Sequence, residues 1–117
     1  MNMTVKAQND PDSGAEMALQ ALREELDQID LRLLRVVRDR LECCGRIGHH
    51  KRRHGVPMMQ PARIGVVQQR AASFARANGV SADFLRCLYE VIIAETCRLE
   101  DDIIGSDGAG HVDARSA

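Results

Sequence analysis

The sequence predicts an all-α protein, and three observations support this. Apolar residues recur every three or four positions in three segments, the spacing of one face of a helix. Aromatic residues make up 3% of the chain and Trp is absent, so the core must consist of Leu, Ile, Val, Met and Ala. Helix-ending residues follow the first two segments, with Gly55 and Pro57 after the first and Asn78-Gly79 after the second.

The first predicted helix is very long and runs from Glu16 to Arg53. At 1.5 Å per residue it would span about 57 Å, whereas a compact domain of this size has a radius of gyration of about 12 Å. Much of its apolar seam would be bare in a single chain, which predicts a homodimer in which the long helices pack together. The seam consists of Leu19, Leu22, Leu26, Ile29, Leu33, Val36, Arg40, Cys43 and Ile47.

Two shorter helices complete the predicted domain, which covers residues 15–105. The second runs from Ala62 to Ala77, with Pro61 suited to its first turn. The third follows Ser81 as N-cap and stops at Gly105. Residues 1–14 and 106–117 are polar or small and are predicted to be disordered tails.

Composition and charge exclude several classes of function. The net charge is −1, which gives no general attraction to nucleic acid or membrane. No apolar run approaches the roughly 18 residues needed to cross a bilayer, and the N-terminus lacks the apolar stretch of a signal peptide. We therefore expect a cytoplasmic protein.

Neither the histidines nor the cysteines indicate a metal site. Neighbouring helical positions point about 100° apart, so the adjacent histidines of the run HHKRRH, residues 49–54, cannot share a metal by themselves. No CxxC pair occurs, and we expect no metal and no cofactor. The four cysteines are predicted to be reduced, buried thiols: Cys43, Cys44, Cys87 and Cys97.

Arg40 occupies a position in the seam where a leucine would be expected. Burying an unpaired guanidinium costs several kcal/mol, so we expect an anionic group to meet it. Lys51 lies eleven residues further on, about three turns, and points to nearly the same side. Arg23 and Arg63 could complete a cationic set for an anionic ligand, although each alone is better explained by solvation or a surface salt bridge.

Thr96 and Glu100 are four residues apart and share a face of the third helix. Thr96 falls within the apolar stripe, where a hydroxyl needs a partner, most commonly the backbone carbonyl one turn back. No nucleophile–base motif or glycine-rich phosphate loop is present. An enzyme built on this chain would therefore work by electrostatics and positioning.

Six motifs fall in register without a gap: LREELDQID (Leu22–Asp30), Leu33-Leu34, Arg40, IGHHK (Ile47–Lys51), Arg63 and LYEVIIAET (Leu88–Thr96). Through these motifs, residues 18–104 resemble the all-helical chorismate mutase family. The resemblance implies an intertwined homodimer of three-helix protomers with two active sites and no cofactor.

The resemblance also implies roles for individual residues. Arg40, Lys51 and Arg63 would come from one chain and Arg23 from the other. Arg23 and Arg40 would bind the two carboxylates of the substrate, and Lys51 would contact a carboxylate and the ether oxygen. Thr96 would stand where a small hydroxyl residue contacts the substrate. The family catalyses a Claisen rearrangement, for which Lys51, Glu100 and Arg40 are the catalytic candidates.

Three positions depart from the common family pattern. Gln60 stands where Asp is frequent, and Ile64 replaces a Glu that accepts a hydrogen bond from the ring hydroxyl of the substrate. Glu100 replaces a Gln that donates to the ether oxygen. Because an ionised Glu cannot donate, Glu100 either stays protonated through burial or faces a cationic group of the substrate.

The segment HGVPMMQPxR, with an apolar residue after the Arg, resembles 4-amino-4-deoxychorismate mutases. These enzymes serve antibiotic pathways, and their substrate carries an amine in place of the ring hydroxyl. Rearrangement of that dicarboxylate is therefore the leading hypothesis. One alternative is an ordinary chorismate mutase acting on chorismate, and another is a non-catalytic helical dimer that binds an acidic metabolite.

Overall fold

The computed structural model describes residues 11–58 and 60–107, and within them the chain forms three α-helices and no strand. The helices are α1 (Pro11–His54), α2 (Pro61–Asn78) and α3 (Ala82–Asp107). The all-α prediction is therefore confirmed. Within the described ranges, no helix is sufficiently long and apolar to cross a bilayer. The chain divides into an N-terminal unit that ends at Asp39 and a C-terminal unit that begins at Arg40.

Two helix boundaries differ from the prediction by more than one residue. α1 begins at Pro11 rather than Glu16, so residues 11–14 are helical. Proline is well tolerated in a first turn, and Asp12 there interacts favourably with the helix dipole. α3 continues past Gly105, which does not have the positive φ of a terminating glycine. The rest of the predicted tails, 1–10 and 108–117, lies outside the described residues.

The N-terminal unit is a single amphipathic stretch of α1 with an exposed apolar seam. The exposed fraction is 61% for Leu22, 57% for Leu33 and 61% for Val36. A contiguous apolar surface of this kind is typical of an interaction site rather than of a surface that stays exposed to solvent.

The C-terminal unit contains the last turns of α1 together with α2 and α3. Its fully buried apolar residues are the small side chains Cys44, Ala71 and Ala75. Two glycines with positive φ end the first two helices, as the sequence predicts. At Gly55 φ is 65°, and at Gly79 it is 67°, where the next amide, that of Val80, donates to the carbonyl of Ala75.

The four cysteines form no disulfide, but the prediction that all are buried is wrong for two of them. Cys44 is buried and Cys97 half-buried, whereas Cys43 and Cys87 are exposed. Cys43 and Cys44 differ because adjacent positions of a helix point about 100° apart, so only one of the two can face the interior of the unit.

Ser81 is the N-cap of α3, which confirms its predicted role. Its Oγ accepts a hydrogen bond of 3.1 Å from the amide of Phe84, and its carbonyl accepts the first intrahelical bond, from Leu85. One of the amides that a helix start leaves unpaired is thus satisfied.

We expect Ser81→Ala to lower the free energy of unfolding by about 1 kcal/mol, because the amide of Phe84 loses its acceptor. Ser81→Asp retains an acceptor and is the matched control, expected to unfold like the wild type. Urea unfolding followed by circular dichroism measures both. Coincident unfolding curves for Ser81→Ala and the wild type would contradict the assignment.

Candidate active site

A cavity of about 330 Å³ lies in the C-terminal unit, and we refer to it as the site cavity. It is bordered by the last turns of α1, the loop before α2, the first turns of α2 and the middle of α3. Its volume falls within the range of small-molecule sites. The structure brings seven of the eight predicted site residues together in its lining: Arg40, Lys51, Gln60, Arg63, Ile64, Thr96 and Glu100.

Arg23, the eighth predicted residue, belongs to the N-terminal unit, where its side chain is exposed. Its expected contribution to the site of a second subunit stays a prediction.

Arg40 is half-buried and meets only uncharged groups. Its Nη1 donates to Thr96 Oγ1 at 2.9 Å and lies 3.8 Å from Cys44 Sγ, and its Cζ is 5.8 Å from the centre of the Tyr89 ring. No described carboxylate forms an ion pair with it. The guanidinium is therefore turned toward protein, as expected, while the anionic partner is not supplied by the described residues. Its charge is available to a ligand.

Two other arginines of the C-terminal unit, unlike Arg40, form ion pairs with carboxylates. Arg86 pairs with Glu90, and Arg98 binds both Glu95 and Asp102. The hydrogen bonds from Arg98 hold the pKa of Glu95 below its usual value. Since these exposed arginines find carboxylates three or four residues away, the lack of one beside Arg40 distinguishes the site cavity.

The partner of the Thr96 hydroxyl differs from the prediction. Instead of bonding to the backbone carbonyl one turn back, Thr96 Oγ1 accepts from Arg40, and Cys44 Sγ lies 3.7 Å away. Thr96 thus fixes one nitrogen of the guanidinium and leaves its other N–H groups free to bind an anion.

Lys51 is held in place by two acceptors. Its Nζ lies 2.6 Å from Glu100 Oε1 and 2.8 Å from the carbonyl oxygen of Met58. The side chains of Lys51 and Glu100 are only 13% and 7% exposed, so this is a buried salt bridge. An ammonium group has three N–H donors, and the described protein groups take two. The third is left for a ligand in the site cavity.

Glu100 meets a cationic partner that the sequence pattern did not indicate. Its expected alternatives were a retained proton or a cationic group of the substrate, and the structure places Lys51 against Oε1. The other oxygen, Oε2, has no hydrogen-bond partner among the described residues and can accept a hydrogen bond from a ligand. In the sequence, the only indication of this ion pair is that Lys51 and Glu100 carry opposite charges on two different predicted helices.

The start of α2 supplies the remaining wall of the site cavity. The carbonyl oxygen of Gln60 accepts from the amides of Arg63 and Ile64, which opens the helix, while the Gln60 side chain makes no cap. The side chain of Arg63 is exposed and forms no ion pair with the described residues, and Ile64 is half-buried. This wall therefore offers a cation beside an apolar surface.

A second cavity of about 450 Å³ shares Arg40 and Arg63 with the first and adds Arg70 and Phe74. Arg70 is not among the predicted site residues. Its spacing from Arg63 could have indicated it, because Arg70 follows Arg63 by seven residues, about two turns, and so lies on the same face of α2.

The charges around the site cavity are three cations, Arg40, Lys51 and Arg63, against one carboxylate, Glu100. The excess of two positive charges fits a small dianion. No group of three or more metal-ligating side chains occurs in the described ranges.

Comparison with known proteins identifies similar sequences. The family described as chorismate mutase type II matches residues 22–101. The chain is 56% identical over 91 residues to a 4-amino-4-deoxychorismate mutase of Streptomyces pristinaespiralis, covering 78% of this chain and 70% of that protein. It is 47% identical over 97 residues to a protein of the same name from Streptomyces venezuelae, covering 83% and 94%. A T-protein of Enterobacter agglomerans is 31% identical over 84 residues, only 22% of its length.

The buried salt bridge predicts a specific pattern of stabilities. Lys51→Met leaves the Glu100 carboxylate buried and unpaired, and we expect a loss of about 3 kcal/mol in the free energy of unfolding. Lys51→Met combined with Glu100→Leu removes both charges and should recover most of that loss. Chemical denaturation of the single and double variants tests this, and strictly additive effects would count against the pair.

Proposed function

The chain belongs to the chorismate mutase type II family, and we propose that it is a mutase that converts 4-amino-4-deoxychorismate to 4-amino-4-deoxyprephenate. The observation that carries the proposal is the site cavity, where two unpaired arginines and a fixed ammonium meet an apolar Ile64 and an acidic Glu100. Two relatives that match most of the chain carry the name of this activity.

The arginines suit a substrate with two carboxylates. Arginine binds a carboxylate through two parallel N–H bonds, and both Arg40 and Arg63 lack a carboxylate partner among the described residues. Arg40 is additionally fixed by Thr96, so less conformational freedom is lost when the substrate binds. Two anchored carboxylates would hold the side chain of the substrate folded over its ring, which is the reactive shape.

The chemistry requires little more than this hold and one donor. In the Claisen rearrangement the ether C–O bond breaks as a C–C bond forms, with no covalent intermediate and no proton transfer. Negative charge gathers on the ether oxygen in the transition state. The third N–H of Lys51 can donate to that oxygen, and because Glu100 and Met58 already fix the ammonium, the donor is preorganised for the transition state.

The amine of the proposed substrate is consistent with two features of the site cavity. Ile64 offers no acceptor for a ring hydroxyl, which weakens selection for chorismate, since the preference of a polar pocket rests on pairing. Glu100 pairs with Lys51 and lowers the positive charge of the cavity by one. In a substrate with two carboxylates and a protonated amine, the amine can donate to the Oε2 atom of Glu100 while the cations of the cavity bind the carboxylates.

A homodimer is part of the proposal. The exposed apolar seam of the N-terminal unit would pack against a second copy, which removes that surface from water. Each site would then receive Arg23 from the partner subunit, giving a further cation for the carboxylates. A role in antibiotic precursor synthesis and a cytoplasmic location follow from the resemblance and the composition, and remain predictions.

Substrate choice is tested with purified protein and both substrates side by side, following the ultraviolet loss of each. We expect kcat/KM for 4-amino-4-deoxychorismate to exceed that for chorismate by about tenfold or more, because Ile64 offers no acceptor for the ring hydroxyl. Equal or better turnover of chorismate would identify an ordinary chorismate mutase. No rearrangement of either compound would leave a non-catalytic dimer.

The shared site is tested by complementation between two inactive variants. Arg23→Ala and Arg40→Met damage different subunits' contributions to one site, so a hybrid dimer keeps one intact site. After mixing and refolding, half of the dimers are hybrids and about a quarter of the sites are intact. Activity should therefore recover to about a quarter of the wild-type level.

A mixture of Arg40→Met and Lys51→Met is the control for this experiment. Both residues belong to the same subunit's half of a site, so no hybrid site is intact and activity should stay absent. A mixture of Arg23→Ala and Arg40→Met that remains inactive would refute the shared site.

A further inference from the structure

α1 and α3 come close together at Gly48, which is buried. A Cβ atom at this position would lie 3.2 Å from Ile103 Cδ1, 3.4 Å from Glu100 Cγ and 3.5 Å from Glu100 Cα. The first distance is shorter than the optimal separation of two carbon atoms, about 3.5–4.0 Å. The other two are ordinary van der Waals contacts, and the last shows that the backbone of α3 itself lies against Gly48. The missing side chain of Gly48 is what allows this approach.

The backbone conformation at Gly48 does not itself require glycine. Positive φ occurs in the described residues only at Gly55 and Gly79. Glycine is also an unfavourable residue inside a helix. The demand for glycine here is therefore one of space and not of dihedral angles.

Gly48 lies beside the central salt bridge. It precedes Lys51 by three residues on α1, and Ile103 follows Glu100 by three residues on α3, so each pair shares one helix face. The contact between the helices at Gly48 is thus one turn from the contact between Lys51 Nζ and Glu100 Oε1 at 2.6 Å. A larger distance between α1 and α3 at this point therefore moves Lys51 and Glu100 apart.

We propose that Gly48 is a positioning residue, which sets the separation of α1 and α3 at which Glu100 holds Lys51 with its free N–H directed into the site cavity. The inference rests on the proposed function, in which that N–H donates to the ether oxygen. A methyl group at Gly48 displaces Ile103 or α3 by a few tenths of an ångström, and the ammonium loses its fixed direction. Catalysis falls because it depends on the exact placement of the donor.

Gly45 provides a matched control on the same helix. It lies one turn earlier, and a Cβ there would be 3.8 Å from Ile103 Cδ1, an ordinary van der Waals contact, with no atom of Glu100 nearby. Gly45→Ala and Gly48→Ala therefore add the same methyl group and the same gain in helix propensity. They differ in their distance from the Lys51–Glu100 pair.

The experiment compares the steady-state kinetics and melting temperatures of the two variants. We expect Gly48→Ala to lower kcat about tenfold with KM changed less than about twofold, because the arginines that bind the carboxylates are untouched. Gly45→Ala should keep both constants within about twofold of the wild type. Gly45→Ala should not melt earlier, since Ala favours the helix. A wild-type kcat for Gly48→Ala overturns the proposal.

Two double variants separate positioning from a general structural role. Ile103→Val removes Cδ1 and gives the new methyl group room, so Gly48→Ala with Ile103→Val should recover most of kcat relative to Ile103→Val alone. In a Glu100→Gln background, which lacks the charged pair, Gly48→Ala should cost less than in the wild type. A loss of the same size in both backgrounds contradicts the proposal.

Crystal structures of Gly48→Ala and Gly45→Ala give a readout that does not depend on the substrate. The distance from Lys51 Nζ to Glu100 Oε1, 2.6 Å in the wild type, should lengthen by a few tenths of an ångström only in Gly48→Ala. An unchanged pair in that variant overturns the inference even if the enzyme is active. A lengthened pair in a protein that rearranges neither substrate supports the inference about Gly48 and refutes the proposed function.

Discussion

The salt bridge between Lys51 and Glu100 is the interaction on which the C-terminal unit and its cavity depend. It joins α1 to α3, and through the carbonyl of Met58 it also ties the loop before α2 to the same ammonium. Removing two charges from water is costly, and their attraction offsets that cost only when the geometry is good. The arrangement is therefore weak evidence for stability and better evidence for function. It fixes a donor at the wall of a cavity, where a flexible lysine would otherwise have to be ordered by the ligand.

Arg40, unlike Lys51, has no carboxylate partner among the described residues. It is half-buried against a hydroxyl, a thiol and an aromatic ring, none of which neutralises it. A folded chain that leaves a cation in this condition gives up stability that a neutral residue would provide. Under the proposed function, a carboxylate of the substrate supplies the missing charge, so the cost in the free protein becomes affinity in the complex. Such local conflicts with packing rules are expected at functional sites.

Sequence patterns identified what depends on local spacing. The helices, the cap at Ser81, the terminating glycines and the anomalous Arg40 all follow from residues within a few positions of one another. The bond from Arg40 to Thr96 and the pairing of Lys51 with Glu100 join residues 56 and 49 positions apart. Their formation depends on the axial register of two helices, and periodicity fixes which face a residue occupies but not its height against a neighbouring helix. The proposed role of Gly48 could not be predicted from the sequence for the same reason. Glycine is needed there only because α3 packs against that position of α1.

The placement of the site residues also separates catalysis from selectivity. Arg40 and Lys51 come from one continuous helix, so their spacing is fixed by its geometry, about 16 Å of rise over eleven residues. Ile64 comes from α2 and its apolar side chain forms no hydrogen bond with either cation of α1, whereas Glu100 on α3 holds the Lys51 ammonium. Substitution of Ile64 can therefore change the hydrogen bonds offered to a ring substituent while the two cations on α1 stay in place. Under the proposed function, the substrate can then change without a change of reaction, because Lys51 meets the transition-state charge and α2 meets the ring substituent.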